Sequence, residues 1–215
     1  AKLSYVTKWW VCGPFPNERG QGFDDVLEPE RDLRMDATYS GKDGQLCSFR
    51  AIPTQPVDGV IDLGAMIRPN TEAVAYLITA VYLDKKQLIP ERSGNAWFTL
   101  GSDGPVKIFL GGGEFDEKGA VVATSALSGL ILETDAERPL GFDQNKSWAG
   151  FRQTFPAGMD GTHLFTEGWN LIVVKAGISD GPCRLRVRLG TLSEGKFAAK
   201  QEEVALAIEA SRLKA

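Results

Sequence analysis

The sequence predicts an all-β protein, a two-sheet antiparallel sandwich followed by a helical tail, and three observations carry that expectation. Apolar and polar residues alternate in short runs with a period of two, the mark of pleated strands whose two faces differ. Asp-Gly pairs recur at 43–44, 58–59, 103–104, 160–161 and 180–181 among 24 glycines, which implies many tight turns and therefore many short strands. No stretch before residue 193 sustains the period of an amphipathic helix.

Size and composition agree with one large domain. At 215 residues the chain can bury a proper core, and its 43% hydrophobic and 24% charged residues are those of a globular protein. A net charge of −4 and a pI near 5.2 leave no basic footprint for nucleic acid. The apolar run 73–83 is too short to span a bilayer, so no membrane span is expected. The first residues hold no apolar signal-peptide core, which predicts either an intracellular chain or the mature product of a cleaved secretory precursor. Cys12, Cys47 and Cys183 form no Cys-x-x-Cys pair, so core packing is expected for all three. A Cys12–Cys183 bridge stays open should the first and last strands be neighbours.

Taken in order, residues 8–15 read as an opening strand with Trp10 and Cys12 on one face and Trp9 and Val11 on the other, one tryptophan in the core and one partly open. Residues 17–34 carry charge, Gly20, Gly22 and Pro29 without a period, and read as a long loop crossing the sandwich. Asp24, Asp25, Glu28 and Glu30 are the oxygen ligands that Ca²⁺ takes, but their spacing lacks the alternation and central glycine of an EF-hand, so they are read as a solvated face and no metal or cofactor is assigned. A turn at Asp43-Gly44 precedes a strand at 46–52, and 60–63 is a short edge strand. The run 73–83 suits a strand buried on both faces.

Residues 95–113 read as a hairpin. Phe98 and Leu100 alternate with Trp97 and Thr99; Val106, Ile108 and Leu110 alternate with Lys107 and Phe109; Asp103-Gly104-Pro105 supplies the reversal. An insertion over about 111–160 follows, the least regular part. Strands return at 168–176 and at 183–189, the latter with Leu185, Val187 and Leu189 opposite arginines. The sandwich domain thus covers 1–192. The tail 193–215 is rich in helix formers, and Phe197, Val204 and Ile208 near a helical period predict a face for the sandwich, a neighbouring catalytic domain or another subunit.

The ordered set Trp10-Val-Cys-Gly-Pro-Phe-Pro-Asn17, Gly22-Phe-Asp24, Pro29-Glu30, Tyr39-Ser-Gly-Lys-Asp-Gly44, Asp62-Leu63, Leu100-Gly-Ser-Asp-Gly-Pro-Val-Lys-Ile-Phe-Leu110 and Gly168-Trp-Asn-Leu-Ile-Val-Val-Lys175 resembles the galactose-binding-like jelly-roll modules attached to secreted bacterial glycan-degrading enzymes. The likeness covers most of residues 8–190. It departs after Leu110, where Gly111-Gly-Gly113 replaces an Asn-Gly turn, and near Cys183, where such modules often carry tryptophan. The resemblance implies a jelly-roll β-sandwich in an extracellular or periplasmic setting, and it carries no particular ligand.

A Ser/His/Asp or Cys/His site needs a histidine base, and the one histidine, His163, has no Gly-x-Ser-x-Gly elbow or other partner motif. Gly111-Gly112-Gly113 lacks the Lys-Ser/Thr of a phosphate loop and reads as a flexible turn. Sugar recognition combines flat rings with planar polar groups, a mixture found at 142–152: Trp148 and Phe151 as rings, Arg152 as a donor fork, and Asp143, Gln144 and Asn145 as mixed donors and acceptors, all expected in a loop. The competing reading has Trp148 and Phe151 anchoring the insertion to the sandwich. Trp9 is a reserve platform on the sheet face. The expected function is a non-catalytic carbohydrate-binding or accessory module. The alternatives are a structural spacer or assembly domain without a small ligand, and a glycan hydrolase built on two carboxylates.

Overall fold

The computed structural model describes residues 4–6, 8–52, 59–83, 96–111, 114–115, 121–123, 130–133, 151–154, 168–180 and 183–191. The strands are β1 (Ser4–Tyr5), β2 (Trp10–Pro16), β3 (Thr38–Ser40), β4 (Leu46–Ser48), β5 (Arg50–Ala51), β6 (Val60–Asp62), β7 (Ala73–Leu83) and β8 (Ala96–Ser102). They continue with β9 (Val106–Gly111), β10 (Glu114–Phe115), β11 (Val121–Ala123), β12 (Leu130–Glu133), β13 (Phe151–Thr154), β14 (Gly168–Ile178) and β15 (Arg184–Thr191). Helical turns α1 (Gln21–Asp24), α2 (Glu28–Arg31) and α3 (Leu63–Met66) interrupt them. No helix among the described residues is long and apolar enough to cross a membrane.

Two larger sheets, both antiparallel, organise the chain. One runs β12-β9-β14-β7-β2-β5; the other runs β1-β15-β8-β13, with β6 also on β15. Strands β7 and β14, both rich in Val, Ile and aromatic residues, pair along their whole length from Leu83↔Gly168 to Ala73↔Ile178, as β propensity favours for a buried centre. The odd residues Ala73, Ala75 and Leu77 of β7 join Val11, Val106, Ile108, Ile172 and Val174 in one apolar cluster with Ile61, Leu185 and Val187 of the other sheet. The even residues Val74, Tyr76, Ile78 and Ala80 face a second cluster whose cover is Phe23, Leu33, Met35, Tyr39, Cys47 and Phe49. The central strands β9, β14, β7 and β2 of the six-stranded sheet are therefore buried on both faces, by the other sheet on one and by the segment 17–49 on the other.

Several expectations hold and several change. Trp9 and Val11 face one cluster and Trp10 and Cys12 the other, as the alternation predicts. Neither tryptophan is open, however: Trp9 is 1% and Trp10 3% exposed, because both faces of β2 are covered. The reading of 95–113 as a hairpin is overturned. Strand β8 pairs with β15 and β13 while β9 pairs with β14 and β12, so the Asp103–Pro105 turn is an arch from one sheet to the other. Its backbone groups bond outward: Asp103 N–H donates to the Arg184 carbonyl at 3.0 Å, and the Pro105 carbonyl accepts from Gly177 N–H at 2.9 Å.

The strand expected at 46–52 breaks at Phe49, which is fully buried; β4 stays with β3 and β5 crosses to β2. The segment 17–34 holds α1 and α2 rather than loop alone, with Pro29 in the first turn of α2, where its missing N–H costs nothing. The helical tail and His163 lie outside the described residues.

All three cysteines are free and buried. Cys12 belongs to the cluster under the 17–49 cover and Cys183 to the cluster between the sheets, so the bridge left open by the sequence does not form. Burial raises the Cys12 thiol, with Cys47 nearby adding to it, and pushes the Cys183 thiol up to about 12. Thiolate is the reactive form, so iodoacetamide at neutral pH is expected to leave the folded protein unmodified and to label all three cysteines once it is unfolded. A native thiol that labels at the unfolded rate would contradict the packing.

Candidate functional site

Antiparallel pairing brings four chain segments to one end of the six-stranded sheet, at the termini of its interior strands. Pro16 pairs with Ala73, Ala73 with Ile178 and Ala176 with Val106. The end of β2, the start of β7, the end of β14 and the start of β9 therefore emerge together. The segments beyond them enclose an open cleft of about 990 Å³. One wall is Asn17, Arg19, Gly20, Phe23 and Asp24; Glu72 stands at the start of β7; the sheet-to-sheet arch adds Asp103, Gly104 and Pro105; the end of β14 and its loop add Gly177, Ile178, Ser179 and Asp180. That volume lies within the range of small-molecule sites.

Local bonds fix these walls. Arg19 and Glu72 both adopt left-handed backbone, at φ 54° and 44°, a conformation that side chains other than glycine's hold only when their surroundings impose it. The Glu72 carbonyl accepts from Asn17 N–H at 3.0 Å and from Lys42 Nζ at 2.8 Å, and its carboxylate accepts from Arg19 N–H at 3.3 Å. The Asn17 side-chain oxygen in turn accepts from Phe23 N–H at 2.8 Å. On the arch, a Cβ at Gly104 would stand 2.6 Å from the Gly177 carbonyl oxygen, so only glycine allows so close an approach.

The Asp103 carboxylate accepts from Arg184 Nε at 2.7 Å, from Nη2 at 3.2 Å and from the Arg184 backbone N–H at 3.1 Å. The pair is 28% and 18% exposed, which makes it stronger than an open surface pair. Asp103→Asn is expected to lower stability by about 1–2 kcal/mol, measured by urea unfolding. An unchanged midpoint would show that the arch is held by its backbone bonds alone.

Beneath the cleft a charged row crosses the apolar sheet. Lys107 pairs with Lys175, Lys175 with Tyr76 and Tyr76 with Cys12. The Lys175 side chain is fully buried; its Nζ donates to the Glu30 carboxylate at 2.7 Å and to the Asp25 carbonyl at 2.6 Å. Tyr76 donates its hydroxyl to the same Glu30 oxygen at 2.5 Å. The Lys107 ammonium stands 4.8 Å from the centre of the Phe23 ring, a cation–π distance. Burial pulls the Lys175 ammonium below its ordinary range against the opposing pull of Glu30, and burial followed by the nearby Glu30 charge lifts the Tyr76 hydroxyl. These groups tie the 17–34 segment, and with it the Phe23–Asp24 wall, to the sheet. Glu30, one of the acidic residues expected on a solvated face, is the buried anchor.

The residues expected to bind sugar are placed differently. Asp143, Gln144, Asn145 and Trp148 lie outside the described residues. Phe151 and Arg152 are not in a loop: they open β13, opposite Leu100 and Thr99 of β8. Trp9 is no platform, because its ring is buried in the core and its Nε1 donates to the Val6 carbonyl at 2.9 Å. The cleft is not legible in the sequence. Its parts are scattered over the chain, and its signals, such as the left-handed Arg19 and Glu72, exist only in three dimensions. Among the described residues no group of three His, Cys, Asp or Glu side chains is placed to hold a metal ion. No family model, curated protein or solved structure matches the chain.

Proposed function

We propose that the chain is a non-catalytic carbohydrate-binding module, a jelly-roll sandwich that works beside glycan-degrading machinery in an extracellular or periplasmic setting. The observation that carries this reading is the cleft at the strand ends of the six-stranded sheet, whose size suits a short oligosaccharide and whose carboxylates, guanidinium and carbonyls suit hydroxyl groups. Its walls are preformed by the Glu72, Asn17 and Asp103 bonds, so little ordering opposes binding. The test screens the purified chain on a broad glycan panel for retention and for product release. Retention without turnover is the expected result, and silence on both readouts would reject the reading in favour of a structural spacer.

A second reading has its own observation. Asp24 and Asp180 are both exposed and line the same cleft, and a pair of carboxylates is the usual minimum for glycoside hydrolysis. Release of reducing ends in the same screen, lost in Asp24→Asn or Asp180→Asn, would establish it.

A further inference from the structure

We propose that the cleft selects glycans free of carboxylate and sulfate groups and holds amino-substituted ones most tightly, an inference that rests on the glycan-binding reading above. The cavity draws its charge from separate segments: Asp24 from α1, Glu72 from the residue before β7 and Asp180 from the loop after β14. All three are exposed. Asp103 is set aside because Arg184 already meets its charge. Among the described lining residues Arg19 is the one cation, with no acidic side chain paired to its guanidinium there, so three exposed acidic residues line the cleft against one arginine.

A carboxylate accepts hydrogen bonds and donates none. Sugar hydroxyls satisfy it by donating, and a sugar ammonium does so with an added attraction. A uronate or sulfate brings a like charge into a concave site whose walls concentrate the field. The lysines nearby do not reverse this sign. Lys175 is engaged by Glu30 and the Asp25 carbonyl, Lys42 holds its ammonium on the Thr71 and Glu72 carbonyls, and Lys107 is set against the Phe23 ring, so none of the three lines the cleft.

The experiment immobilises three probes, a neutral xylo-oligosaccharide, a chitosan oligosaccharide and polygalacturonate, and measures retention of the full chain at low and at physiological salt. Retention on chitosan is expected to exceed that on the neutral probe by about tenfold at low salt, to fall as salt rises, and to be absent on polygalacturonate. In the folded Asp24→Asn/Asp180→Asn variant the ratio of chitosan to neutral retention should drop about tenfold. Polygalacturonate held as well as the neutral probe, or a ratio that the variant leaves unchanged, would overturn the charge selection while glycan binding stands. No retention on any probe would overturn both.

Discussion

Replacing Lys175 with methionine is expected to lower the free energy of unfolding by about 3–5 kcal/mol, the loss typical of a buried ion pair that keeps only one partner. The lysine side chain is fully buried and its Glu30 partner is 7% exposed. Without the ammonium, the Glu30 carboxylate stays inside with the Tyr76 hydroxyl and the Leu27 N–H, too little to replace water around a charge. A triple variant, Lys175→Met with Glu30→Leu and Tyr76→Phe, should recover most of the loss, because an apolar set of similar volume avoids dehydrating the charges. Urea unfolding of parent, single and triple variants separates the cases. A triple variant as unstable as the single one would show that the lysine stem and the Asp25 carbonyl bond matter more than the charge.

Gly22→Ala should cost about 3 kcal/mol, at the upper end for an added methyl group. A Cβ at this position would overlap the carbonyl oxygen of Pro16 and stand 2.8 Å from its carbon and 3.0 Å from Asn17 Cα. These are backbone atoms, and they cannot yield without disturbing the Pro16↔Ala73 pairing and the bond from Asn17 N–H to Glu72. Gly44 is the control. It sits at φ +74° with nothing within 4 Å of an added Cβ, so alanine there meets only the left-handed penalty of about 1–2 kcal/mol. Equal losses at the two sites would mean that the Gly22 contact relaxes freely. The Gly22 variant should also loosen the Phe23–Asp24 wall and weaken any ligand retention.

Strand content was legible where side-chain chemistry alone decides it. The β-branched runs that became β7 and β14 have no competing structure, and the alternation in β9 and β15 matches the faces seen at Val106, Ile108, Leu185 and Val187. Partnership was not legible. Asp-Gly-Pro between two alternating arms serves a hairpin and a sheet-to-sheet arch equally well, and the choice falls to remote partners, the Arg184 carbonyl and Gly177 N–H. Glu30 shows the same limit at the level of one residue. Nothing adjacent to it distinguishes a solvated acid from one that meets Lys175 across 145 positions of chain.

Strand β14 fills the slot between β9 and β7, and in the order of synthesis it comes after both. Until residue 178 has left the ribosome, two apolar strands carry facing rows of unsatisfied N–H and C=O groups, the kind of edge that recruits a strand from another molecule. The danger belongs to the sequence of manufacture and vanishes from the finished sheet. It should show itself as aggregation of nascent chains stalled before β14, and a rearranged gene that translates β14 ahead of β7 would remove it.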